Sequence, residues 1–155
     1  MKTRQIKVYA DTSVYGGVFD DEFAEASSTF FDMVRTGQFI LFISEVVHQE
    51  LKVAPVGVSA LFQEILPYCQ LAEISENALE LQRAYLEEGV LSEKWYDDAL
   101  HVALATVIEC DVIISWNFKH IVNFQKIPLF NAVNVLHGYR AIAIHSPLEV
   151  INYEE

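Results

Sequence analysis

Apolar runs of four to six residues, rich in Ile, Val and Phe, alternate along the chain with longer stretches whose apolar side chains recur at helical spacing. Such alternation is the signature of a mostly parallel sheet covered by helices on both faces. The runs predict strands at Ile6–Ala10, Ile40–Ile43, Leu71–Ile74, Val112–Ser115 and Ala141–His145. Helices are predicted at Glu22–Thr36, ended by Gly37, at Glu45–Lys52, started by Ser44, and at Val58–Leu66, closed by Pro67. Two more are predicted at Ser75–Glu88, stopped by Gly89, and at Ser92–Glu109, where Ser92 serves as N-cap. The expected architecture is a three-layer α/β/α sandwich around a central, mostly parallel sheet of about five strands, in one domain spanning residues 1–155.

In an open sheet of this kind, ligands collect beyond the carboxyl ends of the strands. The first predicted strand runs straight into Asp11-Thr12-Ser13. Asp11 is either an N-cap of the following turn or a functional acid, and both readings stand on local grounds. Gly16-Gly17 reads as a turn. Helical phase selects a second acid: Glu50 shares the face of Val46 and Val47, whereas Glu45 sits in the first turn, where an exposed acid suits the helix dipole. A carboxylate on an inward face needs a cation, a hydrogen-bond partner or a proton, and Lys52 at the helix edge is one candidate partner. At about 100° per residue, Asp97, His101 and Lys94 fall in the middle of the polar arc of the last predicted helix, and Asp98 falls at its border beside Trp95 and Val102. Asp98 is therefore the better cleft acid and Asp97 the solvated one, with a hydrogen bond from His101 to Asp98 one turn away.

Three carboxylates from separate segments suit a hard divalent cation, Mg2+ or Mn2+, which takes oxygen ligands. Zinc would favour His and Cys, but the five histidines show no paired motif, and Cys69 and Cys110 share no ligand spacing and read as reduced, apolar-site thiols. Charge complicates the picture. With 22 acids against 10 bases the net charge is −12, and only Lys2, Arg4 and Lys7 cluster, which opposes nucleic-acid binding unless bound cations neutralise the acids locally. No apolar run approaches the roughly 20 residues of a membrane span, and the N-terminus lacks the apolar core of a signal peptide, so a cytoplasmic, non-membrane protein is expected.

Four segments, in order and spacing, resemble a PIN domain: an apolar strand followed by DTSVYGG, then ISEVVHQEL, DDALHVALA and VIISWNFKHI. PIN domains are small metal-dependent nucleases that include the toxins of VapC-type toxin–antitoxin pairs, and the resemblance covers nearly the whole chain. It implies a Mg2+- or Mn2+-dependent endoribonuclease whose catalytic metal-site acids are Asp11, Glu50 and Asp98. It also implies that Ser13 supports the first acid and that Asn117 is the Asn after the fourth strand. One position departs: His120 stands where a further acid is usual, so three acids would hold one cation well and a second only with help from substrate phosphate. The resemblance further implies an RNA substrate, an antitoxin whose basic segment enters the acidic cleft, and a homo-oligomer, most simply a dimer. With Ser13 and Asn117, His120 is a supporting residue of that site; the rival from another class is a weak or inactive PIN-like binding module with a structural cation site, in which His120 reflects lost activity. Phosphotransfer folds also place Asp at a strand end, but they call for a second Asp where this chain has Ser13, or for a Lys on the last strand, where AIAIHS has none.

Overall fold

The computed structural model describes residues 4–152, so Lys2 of the basic cluster lies outside the described residues. Five strands, β1 (Ile6–Ala10), β2 (Phe39–Ile43), β3 (Cys69–Leu71), β4 (Val112–Ile114) and β5 (Ala143–His145), form one sheet in the order β3-β2-β1-β4-β5. Every pairing is parallel. β1 is the central strand, with Val8 opposite Leu41 on one side and Val112 on the other. Helices cover both of its faces, so Val8, Tyr9 and Ala10 are all fully buried, which is why the strand reads as a continuous apolar run rather than an alternating one.

Parallel neighbours need crossovers, and right-handed crossovers put the helices of opposite travel directions on opposite faces. The helices are α1 (Thr12–Gly17), α2 (Ala24–Arg35), α3 (Glu45–Lys52), α4 (Val56–Ile65), α5 (Glu76–Glu87), α6 (Tyr96–Val107), α7 (Lys126–Leu136) and α8 (Pro147–Val150). Their mutual packing divides them into two layers. α1 packs on α2, α3 and α4, and α2 on α8, while α5 packs on α6 and α7. The three-layer sandwich expected from the pattern is therefore the observed fold. Ser44 and Ser75 cap α3 and α5 by accepting the backbone N–H of Val47 and Ala78. Gly37 ends α2 with φ +80°, a conformation that a side chain would strain.

The differences from expectation are local. α4 begins at Val56 rather than Val58, and a 3-10 turn at Leu66–Tyr68 carries the chain past Pro67 straight into β3. β3 therefore starts two residues before the predicted strand and ends where that strand was expected to begin. The segment after Ser92 opens with a 3-10 turn, Glu93–Trp95, before α6. Thr12–Gly17 is a helix rather than a turn, and α7 and α8 occupy stretches with no predicted helix. Gly17 is there for proximity: a Cβ on it would lie 2.6 Å from Ser27 Oγ and 2.7 Å from Trp116 Nε1. No helix among the described residues is long and apolar enough to cross a membrane.

Candidate active site

Asp11, Ser44 and Ser115 are the residues immediately after β1, β2 and β4, three adjacent strands, so parallel pairing delivers all three to one edge of the sheet. The chain leaves β1 toward β2 and leaves β4 toward β5, in opposite directions. The gap between β1 and β4 is thus the switch point at which open α/β sheets form a crevice. Asp11 stands there, its N–H bonded to Ile114 O at 3.2 Å. Although Asp11 occupies the N-cap position of α1, its side chain makes no capping bond. Ser13 Oγ donates to Oδ1 at 2.6 Å and Ser115 Oγ to Oδ2 at 2.7 Å. Each hydroxyl is itself held, Ser13 Oγ accepting from Trp116 N at 2.9 Å and Ser115 Oγ from Asn117 N at 2.9 Å. Asp11 is 4% exposed. Burial raises its pKa above the ordinary value, against the opposing pull of His101 and the two serines.

Glu50 reaches the same edge from α3. Its Oε1 accepts from His101 Nε2 at 2.6 Å and from Thr12 Oγ1 at 3.1 Å. His101 is buried, not on a polar arc as helical phase suggested, and its partner is Glu50 rather than Asp98. On the far side of the ring, Nδ1 lies 2.7 Å from Tyr9 OH, which lies 2.7 Å from Ser44 Oγ. Burial disfavours the imidazolium, but the Glu50 bond and the charges of Asp11, Glu50 and Asp98 outweigh it and raise the His101 pKa. Burial likewise works against the Glu50 carboxylate, and His101 more than offsets it, holding Glu50 below its ordinary value. A doubly protonated ring orders the whole relay: Nε2–H to Glu50, Nδ1–H to Tyr9, Tyr9 O–H to Ser44. One buried ring therefore feels all three acids singled out from the sequence.

Asp98, in the first turn of α6, is held from the loop after β4. Asn117 Nδ2 donates to its Oδ2 at 3.3 Å, and His120 Nδ1 does so at 3.0 Å. Asn117 Oδ1 in turn accepts the backbone N–H of His120 at 2.9 Å, so the loop is folded around its own Asn. Glu50, Asp97, Asp98, Asn117 and His120 line one open cleft. Asp97 thus belongs to the cleft and not to a solvated face, and partial burial together with the Glu50 charge raises its pKa. Ser115 and the Tyr9–His101 relay carry the site as much as the predicted residues do. Ser115 repeats after β4 the hydroxyl that Ser13 supplies after β1, a signal visible only once the two strands are known to be neighbours.

Among solved structures, the chain is similar to VapC20 of Mycobacterium tuberculosis, described as a toxin that cleaves the sarcin-ricin loop, with a TM-score of 0.52 and 12% identity over 88% of this chain and 98% of that one. The fold is PIN-like. No family model matches the chain, and no curated protein matches it.

The residues at the PIN-like edge fit a hard divalent ion in donor chemistry. Asp11, Glu50 and Asp98 offer oxygen ligands and negative charge, and Glu50 Oε2 and Asp98 Oδ1 accept no hydrogen bond from any described residue. Among the described residues, no three Asp, Glu, His or Cys side chains already stand as a closed ligand group. As arranged here, His101 and His120 each take one carboxylate oxygen of the pair that lines the cleft.

Proposed function

We propose that this chain is a metal-dependent endoribonuclease, with Mg2+ or Mn2+ held by Asp11, Glu50 and Asp98. The observation that carries the reading is that the end of β1, α3 and α6 bring Asp11, Glu50 and Asp98 to one edge of the sheet, where Glu50 is bonded to the buried ring of His101 and Glu50 and Asp98 line one cleft. Paired carboxylates at a switch-point crevice are costly without a cation, which gives their presence a chemical reason. When bound, the ion would lend Lewis acidity to a phosphodiester and make water a nucleophile at neutral pH. The protein's own part is positional. Ser13 and Ser115 fix the rotamer of Asp11, His101 and Thr12 that of Glu50, and Asn117 and His120 that of Asp98, each through a bond to one carboxylate oxygen. The likeness to VapC20, a toxin that cleaves the sarcin-ricin loop, supports RNA as the substrate and a toxin role; a cytoplasmic location and a restraining antitoxin are part of the same proposal. A short adjacent gene for a DNA-binding protein would support the antitoxin, and a homodimer seen in solution would support the assembly.

Asp11→Asn and Asp98→Asn are expected to remove Mn2+-dependent cleavage of RNA while leaving the far-ultraviolet circular dichroism unchanged. Wild-type rates in both variants would exclude the site. A second reading, a PIN-like binding module without turnover, is favoured by His120, which holds Asp98 from the position where an acid is usual. Calorimetric titration with Mn2+ alongside a cleavage assay on a broad set of RNAs separates the two, since the module binds the ion and cuts nothing.

A further inference from the structure

The cleft that holds Glu50 and Asp98 also holds two of the chain's ten bases, Lys94 and Lys119, and neither forms an ion pair among the described residues. Four of the other bases are engaged elsewhere: Arg4 with Asp111, Arg35 with Asp32 and Glu64, Arg140 with Glu109, and Lys126 with the carbonyl of Val90. Lys94 comes from the 3-10 turn before α6 and Lys119 from the loop after β4. Both converge on one ring. Their Nζ atoms lie 4.9 Å and 5.9 Å from the centroid of Trp95. Two exposed ammonium groups gathered at one aromatic ring repel each other, and the ring's quadrupole offsets only part of that repulsion. An anion placed between them relieves it.

The ring that gathers them is registered to the acids. Trp95 packs on His120 with centroids 4.1 Å apart, and His120 Nδ1 lies 3.0 Å from Asp98 Oδ2. The cleft measures about 460 Å³, room for nucleotide-sized groups. We infer that Lys94 and Lys119, seated on Trp95, form a phosphate clamp that grips the RNA backbone beside the cut and sets its position against Asp98. The inference rests on the ribonuclease reading for the identity of the substrate. It also explains how a chain of net charge −12 can hold a polyanion: the contacts are few, local and placed at the mouth of the acidic cleft. Both lysines are positioning residues, acting on the substrate backbone and not on the reacting bond.

The test is binding of a fluorescein-labelled, unstructured single-stranded RNA, measured by anisotropy across a series of KCl concentrations in Ca2+, with cleavage followed in Mn2+. Each lost phosphate contact lowers the slope of log K against log salt by about 0.7 on single strands, so K94A/K119A should lower its magnitude by about 1.4. The same variant should raise KM and leave kcat at saturating RNA unchanged, and K94R/K119R should restore the slope. R83A/R140A, which removes equal charge elsewhere, serves as the comparison and should leave the slope near wild type. An unchanged slope in K94A/K119A, an equal drop in R83A/R140A, or no RNA binding by the wild type would overturn the clamp. Binding with the lysine-dependent slope but no cleavage would reject the nuclease reading and leave the clamp standing.

Discussion

Replacing Ser115 with Ala isolates the charge on Asp11. Ser115 is fully buried, and its hydroxyl donates to Asp11 Oδ2 at 2.7 Å while accepting the N–H of Asn117. A hydrogen bond to a charged group contributes about 1.5–3 kcal/mol, against about 0.5–1.5 kcal/mol between neutral groups. Ser115→Ala should therefore cost more in the wild-type background than in Asp11→Asn, where the acceptor is neutral. The unsatisfied Asn117 N–H is common to both backgrounds and cancels. The difference, about 1–1.5 kcal/mol, is the coupling energy of a double-mutant cycle and is read by urea denaturation of the four proteins at pH 7 in EDTA. Burial pushes Asp11 toward its protonated form, so the cycle also asks which state the fold holds. A coupling within the roughly 0.5 kcal/mol scatter of independent sites would mean that Asp11 is neutral and that the serines do not stabilise a carboxylate.

Gly17→Ala should destabilise by roughly 1–3 kcal/mol, because its Cβ meets Ser27 and Trp116 well inside contact distance and must displace their 2.8 Å hydrogen bond. Helix propensity alone favours Ala by about 1 kcal/mol, so a more stable variant, or unchanged Trp116 emission in a Trp95→Phe background, would contradict the close approach. The His101–Glu50 pair should make the stability of the metal-chelated protein depend on pH. The raised His101 pKa contributes stability that is present below the unfolded value of about 6.5 and is lost as pH rises through the folded one, while the lowered Glu50 pKa contributes stability present above about 4.3 and lost as pH falls. The stability lost in His101→Gln should be greatest between those limits and should shrink on the alkaline side, as thermal unfolding in EDTA across pH 4–9 would show. A loss independent of pH would mean that His101 is neutral throughout.

Much of the fold is legible in the residues. β1 and α3 fall where apolar pattern and the Ser44 cap put them, because a strand buried on both faces and a capped amphipathic helix each carry a strong local signal. β3 carries little. It is a three-residue edge strand with two exposed side chains, so the neighbouring apolar residues outweigh it. α1 contains two glycines that lower its propensity; the packing of Trp116 explains Gly17, while a Cβ on Gly16 would meet nothing within 4 Å. α7 holds Pro128 at its third residue, which looks like a breaker but sits in the first turn, where no intrahelical N–H bond is lost. At the site, the strand-end position of Asp11 and the helical phase of Glu50 and Asp98 can be read directly from the chain. The partners cannot. His101 looks solvent-facing on an isolated helix and is buried because α6 is covered on nearly every side, and its bond to Glu50 spans 51 positions. Ser115 answers Asp11 across 104 positions, a match set by strand order alone.

The most direct measurement is anomalous diffraction from a crystal soaked in Mn2+. A peak coordinated by oxygens of Asp11, Glu50 and Asp98, and abolished in Asp98→Asn, is the expected result. No peak at that edge of the sheet, or a peak elsewhere with the three carboxylates still held by Ser13, Ser115, His101 and His120, would contradict a metal-dependent chemistry for this protein.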